Sequence, residues 1–168
     1  MWMHNGGLGG WKHIKRRLGE KLRDRWYNKV QGSTDTEWAF ALFLNTLESM
    51  GLDPSNPDPD GFGPTLLRTA LLRTIQQINE LIKDIPEEVI EKEHVDCRSL
   101  LNFAVSDGHT VICSRYVSSK KDEAASLYYS SGTSWDDKTD GNYRMDRKDK
   151  GADVVLVASE PLTFERGL

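Results

Sequence analysis

The sequence predicts an α+β protein, helices first and an antiparallel meander after them. Three observations point there. Through residue 82, apolar residues recur at three- and four-residue spacings. From Ser99 onward the repeat drops to two or to short apolar runs. Between two of those runs, Ser106-Asp107-Gly108-His109 is a hairpin turn of the Asp-Gly type.

Taken in order, Met1-Trp2-Met3-His4 reads as a short extended stretch, with Asn5-Gly6-Gly7-Leu8-Gly9-Gly10 as its end and a tight turn. Trp11, Ile14, Leu18, Leu22, Trp26 and Val30 form one narrow apolar stripe, which predicts a single amphipathic helix over 11–30, with Gly19 a mild interruption. Its other face is basic, from Lys12 and Lys15 to Lys29. Gln31-Gly32-Ser33 ends it. Thr34, with Glu37 three residues on, predicts a capping box, and Asp35 falls in the first turn that follows. The next helix runs from Trp38 to Met50, is apolar nearly all round and is therefore expected to be buried, with Gly51 as its C′ stop.

Residues 52–64 hold four of the six prolines and read as an exposed loop within one domain. Pro64 opens a third helix with Leu67, Leu71, Ile75, Ile78 and Ile82 on one stripe, and the acidic stretch 84–96 follows as a solvated helix end and linker. Strands are predicted at Leu100–Val105, Thr110–Val117, Leu127–Ser131, Tyr143–Arg147 and Val154–Ala158, forming a sheet on which helix 38–50 packs.

At 168 residues the chain is one domain or a large piece of one. No apolar run approaches the roughly 20 residues a spanning helix needs, and the first ten residues lack the plan of a secretory signal. The net charge of −4 argues against a protein whose main work is binding nucleic acid, although residues 1–50 carry eight Lys/Arg against five Asp/Glu. Their basic helix could dock an acidic partner surface; it is also what a solvated outer face looks like. Two cysteines, Cys97 and Cys113, make no disulfide framework and suggest a reducing, cytoplasmic setting.

Two segments could carry chemistry. An Asn followed by glycines, as in His4-Asn5-Gly6-Gly7, can aim an amide NH₂ and a bare backbone N–H at one point, the requirement of an oxyanion hole. The same residues also make an ordinary Asn-Gly turn. In Gly32-Ser33-Thr34-Asp35-Thr36-Glu37 a carboxylate could pair with the ammonium of an amino-acid ligand, while an Asp at a helix start also favours the macrodipole with no ligand at all.

Together, His-Asn-Gly and, one helix later, Ser-Thr-Asp-Thr-Glu resemble the class II glutamine amidotransferases, which are N-terminal-nucleophile hydrolases. The resemblance continues through Asn102–Gly108, Ser114-Arg115-Tyr116, Lys121–Leu127 and Val157–Glu165, stretches similar to the fungal amidotransferase subunit of the alternative glutathione-degradation pathway. It covers essentially the whole chain. It implies an α-β-β-α sandwich and hydrolysis of a γ-glutamyl amide, glutamine or glutathione, with no metal or organic cofactor. Asn5 and the N–H of Gly6 match the oxyanion hole, and Asp35 matches the carboxylate that binds the glutamyl α-ammonium. A metallopeptidase-like partner subunit is implied as well.

In that family the nucleophile is the thiol of an N-terminal cysteine, activated by its own amine. Here position 1 is Met. The resemblance therefore implies an incomplete sandwich without its first strands or nucleophile, inactive alone and with an unpaired sheet edge that favours aggregation or a partner. A non-catalytic interaction module on the same fold, or a γ-glutamyl amidase of thiol-histidine biosynthesis, would use the same motifs. Cys97, in a charged linker, and Cys113, mid-strand, read as small buried or inert thiols. His13 and His109 read as surface residues, and no metal-ligand spacing is present.

Overall fold

The structure is a computed structural model that describes residues 1–55, 59–139, 142–148 and 150–161. Asn56–Asp58 of the proline-rich loop and Leu162–Glu165 of the last family-like stretch lie outside the described residues. The chain divides into two compact units, Met1–Ala124 and Ala125–Leu168. The first contains β1 (Trp2–Gly7), α1 (Trp11–Lys21), α2 (Asp24–Tyr27), α3 (Asp35–Ser49), α4 (Gly63–Lys83), α5 (Glu87–Glu93), β2 (Leu100–Ser106) and β3 (Val111–Cys113). The second holds β4 (Tyr128–Thr139), β5 (Asn142–Arg147) and β6 (Val154–Ala158).

The apolar stripes become the core of the first unit. Ile14, Leu18, Leu42, Phe43, Ile78, Leu101 and Phe103 are all buried. Helix α3 is buried along most of its length, as its composition requires. The buried threonine hydroxyls are satisfied, those of Thr46 and Thr74 donating to the carbonyls of Leu42 and Ala70, each at 2.8 Å, whereas the buried Trp2 indole N–H has no partner among the described residues. Gly51 ends α3 at φ +83, with Gly51 N–H bonded to Glu48 O and Leu52 N–H to Leu47 O, the paired bonds of a Schellman stop.

The single helix expected over 11–30 is two, α1 and α2, because Leu22 is extended (φ −79, ψ 138). The Asn45 side chain on α3 closes the gap, accepting from Arg23 N–H at 3.0 Å and donating to Lys21 O at 3.4 Å. Leu22 and Trp26 nonetheless stay buried on the side the stripe indicated. The basic face of this segment meets the chain's own carboxylates. Lys12 pairs with Glu93, Arg16 with Glu20 and Arg17 with Asp84, while Arg23 and Arg25 both reach Glu48 at 3.1 Å. Burial works against ionisation of Glu48, but the Trp26 indole N–H and the two arginines hold its carboxyl below the usual value.

The expected capping box does not form. Thr34 is the N-cap residue of α3 but makes no side-chain cap bond. The Glu37 carboxylate instead accepts from Gln31 N–H at 2.8 Å and Gly32 N–H at 2.7 Å, holding the incoming loop. The N-terminal end of α4 is held from a distance. Asp107, in the β2–β3 turn, accepts from Phe62 N–H at 2.7 Å as well as from His109 and Thr110 in its own turn. Burial opposes its charge, yet the backbone N–H groups of Thr110, His109, Phe62 and Gly63 lower the carboxyl to about 2. A carboxyl depressed in the folded state stabilises above the unfolded-state pKa of roughly 4, and that contribution is lost as pH falls from there toward 2. Asp107→Ala is therefore expected to cost about 2 kcal/mol at pH 7. Urea denaturation at pH 7 and at pH 2.5 should show the gap between variant and wild type closing at the lower pH.

The sheets depart from expectation. Residues 99–158 do not form one sheet: β1, β2 and β3 make one three-stranded antiparallel sheet, and β5, β4 and β6 another. Helix α3 packs on β1, from the start of the chain. The Trp2 ring supplies the reason: its centroid is 5.5 Å from Phe40 and 5.4 Å from Phe43 on α3, and 4.5 Å from Phe103 on β2. In the second unit β4 is the central strand, and Tyr129 pairs with Val157 and Ser131 with Val155.

Candidate active site

Asn5-Gly6-Gly7, expected to leave the strand in a tight turn, remains in β1, and the turn comes at Gly9-Gly10. Pairing with β2 keeps it extended, with Asn5 opposite Asn102, Gly6 opposite Leu101 and Gly7 opposite Leu100. Gly6 needs its missing side chain. Its φ is +139, and a Cβ there would lie 1.9 Å from Leu100 O. The Asn5 side chain is exposed and, among the described residues, makes no hydrogen bond, so both its amide hydrogens are available.

Asp35, at the first turn of α3, lies against the end of that strand. Its Oδ2 accepts from Leu8 N–H at 2.9 Å and its Oδ1 from Thr36 N–H at 2.8 Å. A Cβ on Gly7 would stand 3.6 Å from Oδ2, in ordinary contact. The two sequence segments, 27 residues apart, thus meet around Gly7 and Leu8. The turn beyond is held by Gly9 N–H donating to Ser99 Oγ at 2.9 Å and Gly10 N–H to Asp96 O at 2.8 Å. Sequence reasoning did not find the connector between the segments. His4 lies 2.9 Å through Nδ1 from Thr36 Oγ1 and 3.1 Å through Nε2 from Leu100 O, with its ring 4.5 Å from Phe103. Both His4 and Thr36 sit inside the quoted motifs, but only the fold shows that they touch.

Cys97 has its backbone against the Gly9 turn, where a Cβ on Gly9 would lie 2.3 Å from Cys97 O, and Cys113 pairs with Ala104 in the β2–β3 ladder. Burial pushes the Cys97 thiol up, with Asp96 adding to it, and burial also pushes up Cys113, so neither is activated as a thiolate. His13 is more enclosed than a surface residue, sitting 3.5 Å from Glu93, while His109 is exposed in its turn. Among the described residues no three His, Cys, Asp or Glu side chains converge as metal ligands, and no described helix is long and apolar enough to cross a membrane. A separate open groove of about 820 Å³, lined by Lys12, Lys15, Arg16, Tyr27 and Trp38 among others, shares no residue with the Asn5–Asp35 corner.

No protein-family model matches the chain. Among solved structures, a glutamine aminotransferase class-II domain protein from Silicibacter pomeroyi is similar with a TM-score of 0.52 at 30% identity, covering 76% of this chain and 47% of that one. In fold and sequence alike, the chain is similar to the class II glutamine amidotransferase domains that its motifs resemble. The chain is also 53% identical over 165 residues, 98% of its length, to the probable glutamine amidotransferase DUG3 of Saccharomyces cerevisiae. It spans 45% of the length of that yeast relative.

Proposed function

We propose that these 168 residues supply the oxyanion and ammonium sites of a glutamine amidotransferase-type hydrolase acting on a γ-glutamyl amide, glutamine or glutathione, within an N-terminal-nucleophile type of α-β-β-α sandwich. The observation that carries this is the seating of the Asp35 carboxylate on Leu8 N–H at 2.9 Å and against Gly7, the residue that follows Asn5-Gly6 in β1. One corner then offers donors for a negative oxygen and a carboxylate for a positive nitrogen, the two charges a γ-glutamyl group presents during acyl transfer. The 53% identity to the yeast amidotransferase supports the substrate class.

In this reading a thiolate from outside these residues attacks the γ-carbonyl. A C–S bond forms, and the carbonyl electron pair moves to oxygen opposite the Asn5 amide and Gly6 N–H. Collapse restores the carbonyl, breaks the C–N bond and expels the amine with the proton that the thiol's base took up when the thiolate formed, and water then cleaves the C–S bond, releasing glutamate and returning the thiol. Losing one oxyanion donor costs about 3 kcal/mol of barrier lowering in such sites. A metallopeptidase-like subunit is the partner this reading adds.

Both thiols of the chain are pushed up and neither is activated, so the 168-residue protein is expected to release no glutamate from glutamine or glutathione above background. It should still take up L-glutamine, with shifts in the backbone amide resonances of Asn5, Gly6 and Leu8 that Asp35→Asn abolishes. Turnover removed by Cys97→Ala or Cys113→Ala would overturn the placing of the nucleophile outside these residues. Glutamine shifts that survive Asp35→Asn would overturn the ammonium site.

A further inference from the structure

The hydrogen-bond geometry around His4 has one consistent proton arrangement for the neutral ring. Leu100 O can only accept, so Nε2, 3.1 Å away, carries the hydrogen. Nδ1 is then an acceptor, and Thr36 Oγ1, 2.9 Å from it, must donate. A threonine hydroxyl has a single proton. With that proton committed to His4, the contact of 3.5 Å from Thr36 Oγ1 to Asp35 Oδ1 brings no hydrogen to the carboxylate. Asp35 is held by one backbone donor on each oxygen, Thr36 N–H on Oδ1 and Leu8 N–H on Oδ2, and each oxygen keeps acceptor capacity. The His4 ring packs against Phe103, with centroids 4.5 Å apart and ring planes tilted by 42°.

We propose that Thr36 and His4 are positioning residues for Asp35. The Thr36 hydroxyl straps the first turn of α3 to β1 through His4 Nδ1, and the strap keeps that hydroxyl off Oδ1, so that the carboxylate's free lone pairs remain for a ligand's primary ammonium. The role rests on the reading of Asp35 as the ammonium-binding group. It deepens that reading by naming what sets the orientation and acceptor capacity of the group. The strap also joins the oxyanion strand to the ammonium carboxylate, since His4 precedes Asn5 in β1 and Thr36 follows Asp35 in α3.

The test compares wild type with Thr36→Val, which keeps the shape and removes the hydroxyl, and Thr36→Ser, which keeps the hydroxyl. In ¹⁵N imidazole spectra at pH 8, His4 should carry its proton on Nε2 in wild type and Thr36→Ser, and the Nδ1 resonance should move in Thr36→Val. Hydrogen exchange at the Leu8 amide, which reports on Asp35, should be about tenfold faster in Thr36→Val and restored by Ser. Affinity for L-glutamine should fall about tenfold in Thr36→Val, the scale of one lost hydrogen bond, and return in Thr36→Ser. A proton on Nδ1 in wild type, or failure of Ser to restore what Val loses, overturns the strap. Equal affinity of wild type for L-glutamine and N-acetyl-L-glutamine overturns the ammonium reading, and with it the purpose assigned to the strap, whatever the tautomer.

Discussion

Gly6→Ala is expected to cost the first unit at least about 3 kcal/mol, enough to unfold it in mild denaturant. A Cβ at this position meets Leu100 O at 1.9 Å and Leu100 C at 2.7 Å, and both are backbone atoms of the paired strand. Relief would require breaking the β1–β2 ladder, and the φ of +139 is itself unfavourable to a side chain. Gly7→Ala is the control. Its Cβ would rest 3.6 Å from Asp35 Oδ2, an ordinary contact, so the change should stay within about 1 kcal/mol of wild type. Equilibrium urea denaturation of the two variants checks the contrast. A Gly6→Ala protein as stable as wild type would mean that β1 does not pair with β2 in this register.

Phe103→Ala should be nearly as damaging, at about 3–5 kcal/mol, the usual cost of emptying a buried phenylalanine site. Phe103 is 1% exposed and lies beneath both Trp2 and His4, with both ring centroids at 4.5 Å. Its removal takes away the support that joins α3 to β1 and frees the imidazole that Thr36 contacts. Phe103→Leu should cost about 1–1.5 kcal/mol, because most of the volume is kept. Thermal melts give the ranking, and loss of the near-ultraviolet signal of Trp2 in Phe103→Ala reports the opened cluster.

Several elements are legible in the residue order alone. The all-round apolar composition of 38–50 predicts a buried helix and the stripe from Leu67 to Ile82 a helix with one apolar face, and both form. Asp107-Gly108 predicts the hairpin that joins β2 and β3. These signals are local: side-chain spacing and turn residues bias a few neighbouring dihedral angles. The same locality explains the misses. Nothing within residues 11–30 announces the break at Leu22, because the group that satisfies it is Asn45, on another helix. Glu37 has the spacing of a capping box, yet it binds the Gln31–Gly32 loop, where two unpaired N–H groups outcompete a single cap.

The candidate site divides along the same line. Asn5, Gly6 and Asp35 could be picked out from motif chemistry, whereas Thr36 and His4 could not be assigned work, because a residue that acts through another has no signature of its own. Alternation and spacing decided which residues are apolar and inward, and hence that the helices between β1 and β2 come before the remaining strands. The partnership of β1 with β2, the separation of the strands into two sheets and the seating of Asp35 on Leu8 were decided only in three dimensions. Each depends on bonds between groups far apart in the chain, 96 residues for His4 with Leu100 and 27 for Leu8 with Asp35. Such bonds add net stability only where the packed core excludes the water that would otherwise satisfy those groups.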